Sequence, residues 1–109
     1  MKRRENKMKI IMFTKDKCPN CERAKFMLNY SPVPVELEIR NIESGRDAEK
    51  YNTQLTEVIK SRTLPTILIP TKVKLPTKQN QFVEEDGIGY EILVGFDDNL
   101  GKLQGVLGL

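Results

Sequence analysis

The chain has 109 residues, with 18 basic and 15 acidic side chains, a net charge of +3 and no histidine. That length suits one compact domain rather than two, and an apolar fraction of 39% beside 30% charged residues allows a packed core. Without histidine there is no Ser-His or Cys-His catalytic pair; two cysteines cannot build a zinc site within one chain, and so small a charge surplus argues for no nucleic-acid partner.

No apolar run approaches the ~18 residues of a membrane helix, and the basic segment from Met1 to Lys9 is followed by too short an apolar run for a signal peptide. The expectation is a soluble cytoplasmic protein, with residues 1–8 as a flexible N-terminal tail and residues 9–109 as a single domain.

Lys9 to Thr14 (KIIMFT) is a β-favouring apolar run. Cys21, Ala24 and Leu28 then fall at helical spacing, so Pro19 to about Asn29 reads as a first helix, which Pro32 and Pro34 close off. Val35, Leu37 and Ile39 alternate with Glu36, Glu38 and Arg40, a strand with a solvated face. Ser44-Gly45 precedes a second helix in which Ala48, Tyr51, Leu55 and Val58 recur at intervals of three and four. Thr66 to Ile69 (TILI) is another apolar strand. The polar stretch from Pro70 to Gly89 reads as an extended hairpin or loop, with Glu84-Glu85-Asp86 as a solvated turn. Tyr90 to Val94 forms a further strand, and Leu100, Leu103 and Leu107 mark a last amphipathic helix. The order β-α-β-α-β-β-α predicts an α/β fold, a four-stranded mixed sheet with about three flanking helices.

Cys18-Pro19-Asn20-Cys21 follows a strand and opens a helix, the setting in which C-x-x-C reads as a redox motif. Cys18 would take the N-cap, where unpaired amides and the helix dipole favour a thiolate, and Pro19 the first helical position. Cys21 would lie one turn in, close enough for a disulfide, with Lys15 and Lys17 adding positive charge beside Cys18. The spacing predicts an exposed nucleophile and a shielded second thiol. Inert core cysteines and half of an interchain metal site are the weaker alternatives, and a purely structural disulfide gains little from so short a loop.

Three segments in order, Thr14-Lys15-x-x-Cys18-Pro19-x-Cys21, Arg62-Thr63-Leu64-Pro65 and Gly95-x-Asp97-Asp98, resemble the glutaredoxin family, of the phage or bacterial dithiol type, within the thioredoxin-like fold. Thioredoxins themselves carry a further strand and helix ahead of the thiols and a Trp beside them; this chain has no Trp. The resemblance implies a thiol–disulfide oxidoreductase in which Cys18 attacks and Cys21 releases the product. It implies a cis Pro65 that leaves the backbone of Leu64 free for a substrate strand, against the plain reading of a trans proline starting a strand. Lys15 would meet a glutathione carboxylate or stay solvated. Gly95, Asp97 and Asp98 would hold the glutamyl end of glutathione, or the aspartates would simply cap the helix, and Arg62 and Thr63 would border the groove.

No tightly bound cofactor and no metal follow from this resemblance, only glutathione as co-substrate. The implied partners are glutathione or thioredoxin reductase as reductant and a disulfide-containing protein such as ribonucleotide reductase as target, with no nucleic acid or membrane and a monomeric chain. Asn20 stands where the family often has an aromatic and alters the flank that packs on glutathione, and Val94 puts a side chain where the family has a first glycine. The Gly95-Phe96 pair resembles the glutaredoxin-like electron donors for ribonucleotide reductase, some of them reduced by thioredoxin reductase, while the paired aspartates point back to glutathione. Two alternatives from other classes remain: an iron–sulfur carrier, disfavoured because Cys21 competes for Cys18, and a binding module using residues 70–89.

Overall fold

Two apolar runs offer no polar side to water, and both become inner strands of one sheet: Ile10, Ile11, Met12 and Phe13, and Ile67, Leu68 and Ile69, are all buried. The computed structural model describes residues 8–32, 34–70, 81–96 and 99–107. Its elements are β1 (Met8–Thr14), α1 (Pro19–Asn29), β2 (Val35–Asn41), α2 (Ala48–Thr53) continued by a π-helical segment (Gln54–Ile59), β3 (Thr66–Pro70), β4 (Gln81–Glu85), β5 (Ile88–Val94) and α3 (Leu100–Leu107).

The strands pair in the order β2-β1-β3-β5-β4. β1 and β2, joined through α1, are parallel, with Met12 opposite Ile39, and the remaining pairs are antiparallel. One face packs on α1 and α3 through Ile10, Met12, Ala24, Leu28, Leu93 and Leu103. The other packs on the α2 side through Ile11, Phe13, Leu55, Ile59, Leu68 and Ile92. The layers are therefore helix, mixed sheet, helix.

Several expectations need correction. The sheet has five strands, because in the segment expected as an extended hairpin or loop the hairpin forms and adds a strand, Gln81–Glu85, beside Ile88–Val94. Asp86 and Gly87 both have positive φ (55° and 81°), the two-residue hairpin turn that an Asp-Gly pair favours. Only Asp86 is a solvated turn residue; Glu84 and Glu85 are strand residues. Residues 71–80 and 1–7 lie outside the described residues, while Met8, expected in the tail, opens β1 opposite Val35. In the second helix Val58 is exposed and Ile59 buried. The i→i+5 turns of the π-helical segment bring residue 59, not 58, back beneath the core-facing Leu55.

The largest departure is Arg40. Alternation predicts it in water, yet it is only 5% exposed. Its guanidinium donates through Nε to Glu38 at 2.7 Å, through Nη1 to Gln54 at 2.9 Å, and as a two-pronged pair to Glu85 at 3.1 and 2.5 Å. It also lies over the rings of Phe13 and Tyr51. β2 and β4 are the two edges of the sheet, four pairings apart, so the Arg40–Glu85 contact joins strands that do not meet in the ladder. Burial works against the charge, but the hydrogen bonds that Arg40 donates to Glu85 and Glu38 hold the guanidinium proton even more firmly than usual.

Candidate active site

Three loops leave the same end of the sheet. Phe13 stands opposite Thr66 and Thr66 opposite Val94, so the turn after β1, the segment before β3 and the turn after β5 emerge side by side. The first carries Cys18, the second residues 62–65, the third Gly95.

Cys18 is the N-cap of α1, with extended backbone (φ −117°, ψ 99°) and Pro19 in the first turn. Its carbonyl accepts from the N–H of Glu22 at 3.1 Å, and its Sγ accepts from the N–H of Cys21 at 3.2 Å. A sulfur capping a helix N-terminus receives the amides and the positive end of the dipole that stabilise negative charge there. Cys18 and Cys21 are joined as a disulfide, their Cα atoms 5.2 Å apart. Cys18 is the more accessible of the two, but at 7% against 1% it sits in a recess instead of standing exposed as the spacing predicts. Capping its own helix and bonding to Cys21 draws the sulfur in against the chain.

The approach to Cys18 is pinned from the side. Lys17 adopts a left-handed conformation (φ 55°). The carboxylate of Asp16 accepts from Asn41 Nδ2 at 3.2 Å and from the hydroxyl of Ser44, while its N–H donates to Glu43. Hydrogen bonds from Ser44 and Asn41 hold the Asp16 carboxyl below the usual carboxylate range. Lys15 and Lys17 are both exposed on this turn.

In the second loop the Leu64–Pro65 peptide is cis. Pro65 is buried, Leu64 half-buried, Arg62 and Thr63 exposed. The Thr63 carbonyl accepts from Thr66 Oγ1 at 2.6 Å, and Ser61 Oγ lies 2.7 Å from that same hydroxyl. No hydrogen bond among the described residues takes up the N–H or C=O of Leu64. The third loop is tied to the second, since Gly95 donates its N–H to the Pro65 carbonyl at 2.9 Å. Gly95 has φ +90°, and a Cβ built on it would sit 3.8 Å from the Thr63 methyl, so backbone conformation rather than space calls for glycine here. Val94, beside it, points to solvent.

Cys18, Cys21, residues 62–65 and Gly95 are thus gathered at one end, and Lys15 lies on the turn leading to it. Asp97 and Asp98 lie outside the described residues. The supports around these loops carry weaker signals in the sequence. Asn99 donates to the carbonyls of Val94 and Gly95 at 2.8 and 3.0 Å, closing the turn into α3. Ser61 and Thr66 brace the Thr63 carbonyl. Arg23 donates to Asn20 Oδ1 at 3.1 Å and lies 5.1 Å from the centre of the Phe96 ring, joining the first turn of α1 to the third loop. A short polar residue just before a helix is the only local hint for Asn99; nothing local marks Arg23.

Comparison with known proteins adds one match. The family model described as glutaredoxin covers residues 10–74, more than half of the chain, including both cysteines and residues 62–65 but not Gly95. No curated protein and no solved structure matches.

Proposed function

Because this chain belongs to the glutaredoxin family, we propose that its Cys18–Cys21 pair, on a thioredoxin-like fold, reduces disulfides in proteins and mixed disulfides of glutathione. The observation that carries the reading is Cys18 Sγ at a helix N-cap with Cys21 already bonded to it. In the reduced protein the Cys18 thiolate attacks one sulfur of the substrate, forming a mixed disulfide and expelling the other substrate sulfur as thiolate. The Cys21 thiolate then attacks Cys18 Sγ, releasing the second substrate sulfur. Two electrons pass to the substrate, and the protein is left in the disulfide form. Two molecules of glutathione, or thioredoxin reductase, return it to the dithiol.

The unengaged backbone of Leu64 fits a substrate chain pairing there as an added strand. Lys15, Arg62 and Thr63 are accessible to the carboxylates and backbone of glutathione or of a protein chain, and Gly95 with Asp97 and Asp98 would meet the glutamyl end. A protein disulfide of the ribonucleotide reductase kind is the target class that the Gly95-Phe96 pair favours. Such chemistry suits a reducing compartment such as the cytoplasm; among the described residues no helix is long and apolar enough to cross a membrane.

The test is reduction of hydroxyethyl disulfide with glutathione, glutathione reductase and NADPH, followed as NADPH consumption. The wild-type chain should turn over and Cys18→Ser should not; equal rates for the two would sink the reading. Incubating the oxidised protein with glutathione alone and with thioredoxin reductase alone identifies the reductant.

A further inference from the structure

From Cys18 a row of side chains at four-residue spacing, Cys18, Glu22, Phe26 and Tyr30, runs along α1. Phe26 and Tyr30 are among the most exposed large apolar side chains described, at 66% and 71%, and their ring centres lie 4.7 Å apart. Beside them an open groove of about 470 Å³ runs between α1 and α3, walled by Arg23, Phe26, Met27, Phe96 and Leu100, with Glu22 at the thiol end. Single exposed apolar residues are ordinary on a protein surface. A tilted aromatic pair in contact beside an apolar groove is a contiguous patch, and such patches mark contact sites.

The groove lies next to the thiol site along both of its walls. Along α1 it begins one residue after Cys21, and on the other side Phe96 directly follows Gly95, whose N–H is bonded to the Pro65 carbonyl. A chain whose sulfur reaches Cys18 comes within about one helical turn of Glu22, at the near end of the groove. We propose that this groove seats an apolar or aromatic side chain of a protein substrate, three or four residues from the substrate cysteine attacked by Cys18. The spacing follows from geometry: Phe26 is eight residues beyond Cys18, about 12 Å along the helix at ~1.5 Å per residue, which an extended chain spans in three to four residues at ~3.3 Å each. Glutathione, a tripeptide without an apolar side chain, would leave the apolar walls of the groove uncovered. The groove thus selects protein disulfides over small ones. This inference rests on the oxidoreductase reading above and names its preferred substrate.

The experiment compares three disulfides: hydroxyethyl disulfide, a ten-residue peptide with an internal disulfide flanked on both sides by Phe three residues out, and the same peptide with Ser at those positions. The wild-type chain should prefer the Phe peptide by about tenfold in kcat/KM, chiefly through KM. Phe26→Ser should bring the two peptides level and leave hydroxyethyl disulfide unchanged, while Phe26→Leu should restore most of the preference. Equal peptides for the wild type, or a Phe26→Ser loss shared by all three substrates, would overturn the proposal. So would a dimer in sedimentation that Phe26→Ser dissolves, since a second copy would then fill the groove. No turnover of any of the three by the wild-type chain would remove the oxidoreductase reading itself and this inference with it.

Discussion

Cys18 and Arg40 are two nearly buried polar centres in one small domain, supported in different ways. The immediate support of Cys18 is local: the Sγ contact comes from an amide three residues on, and the helix dipole is generated by the segment that Cys18 itself opens. Arg40 draws on distant parts of the chain, bonding to Gln54 and Glu85, which are 14 and 45 residues away. A locally supported centre can lose its reactive atom while the fold stays intact. A centre assembled from β2, the π-helical segment and the β4–β5 hairpin is part of what closes the fold, so the cost of losing it falls on stability.

Five experiments can break or sharpen that contrast, the largest effect first. Cys18→Ser should abolish disulfide turnover while leaving the urea midpoint of the reduced protein within experimental error of wild type; a large drop in stability would show that the thiol is also a structural centre. Cys21→Ser should keep the first attack and accumulate the mixed disulfide, visible by mass spectrometry.

Arg40→Ala should do the opposite. Stability should fall by about 2–4 kcal/mol, below the full range for breaking a buried pair because both carboxylates keep some water contact; turnover per folded molecule should be unchanged. Urea unfolding and an activity assay on the same sample separate the two effects, and a loss of turnover at full stability would contradict the division drawn here.

Gly95→Ala should cost about 1–3 kcal/mol from forcing a Cβ into positive φ, since the space for the methyl is already there. This position belongs to both categories, and a thermal melt beside a turnover assay would show whether the strain stays in the backbone or reaches the thiol end.

The smallest effect is on pH dependence. Burial raises the Glu38 carboxyl, but hydrogen bonds from Arg40 and Lys9 outweigh it and hold the group below its ordinary value. A carboxyl depressed in the folded state contributes stability that is fully present above the ordinary value of 4.5 and lost as pH falls through the folded one. Unfolding midpoints should therefore drop between about pH 5 and pH 3, and Glu38→Gln should flatten that slope.

The legible part of the molecule follows the same division. Cys21, Ala24 and Leu28 declare the buried face of α1, and Leu103 and Leu107 that of α3, because an α-helix repeats its core contacts within a few residues. Cys18-Pro19-x-Cys21 carries its own helix start, thiol spacing and N-cap. Val58 misleads because a π turn shifts the period, and no single residue announces such a turn. Arg40 misleads because it reads as solvated on its strand, and Glu85 because it reads as part of a solvated turn; only the folded sheet brings them together. Asp86-Gly87 is the converse case, a local turn signal outweighed by the polar character of the stretch around it.

By itself the sequence determined where four of the strands and the three helices lie, within a few residues, and that a pair of cysteines one turn apart opens the first helix, because these depend on contacts made inside one turn or one strand. Only the tertiary structure decided that a fifth strand completes the sheet, that Arg40 is buried under Glu85, and that Phe26 and Phe96 wall one groove between α1 and α3. Each of those needs segments far apart in the chain to meet, and where they meet is set by how strands twist and helices pack, which the order of residues does not state position by position.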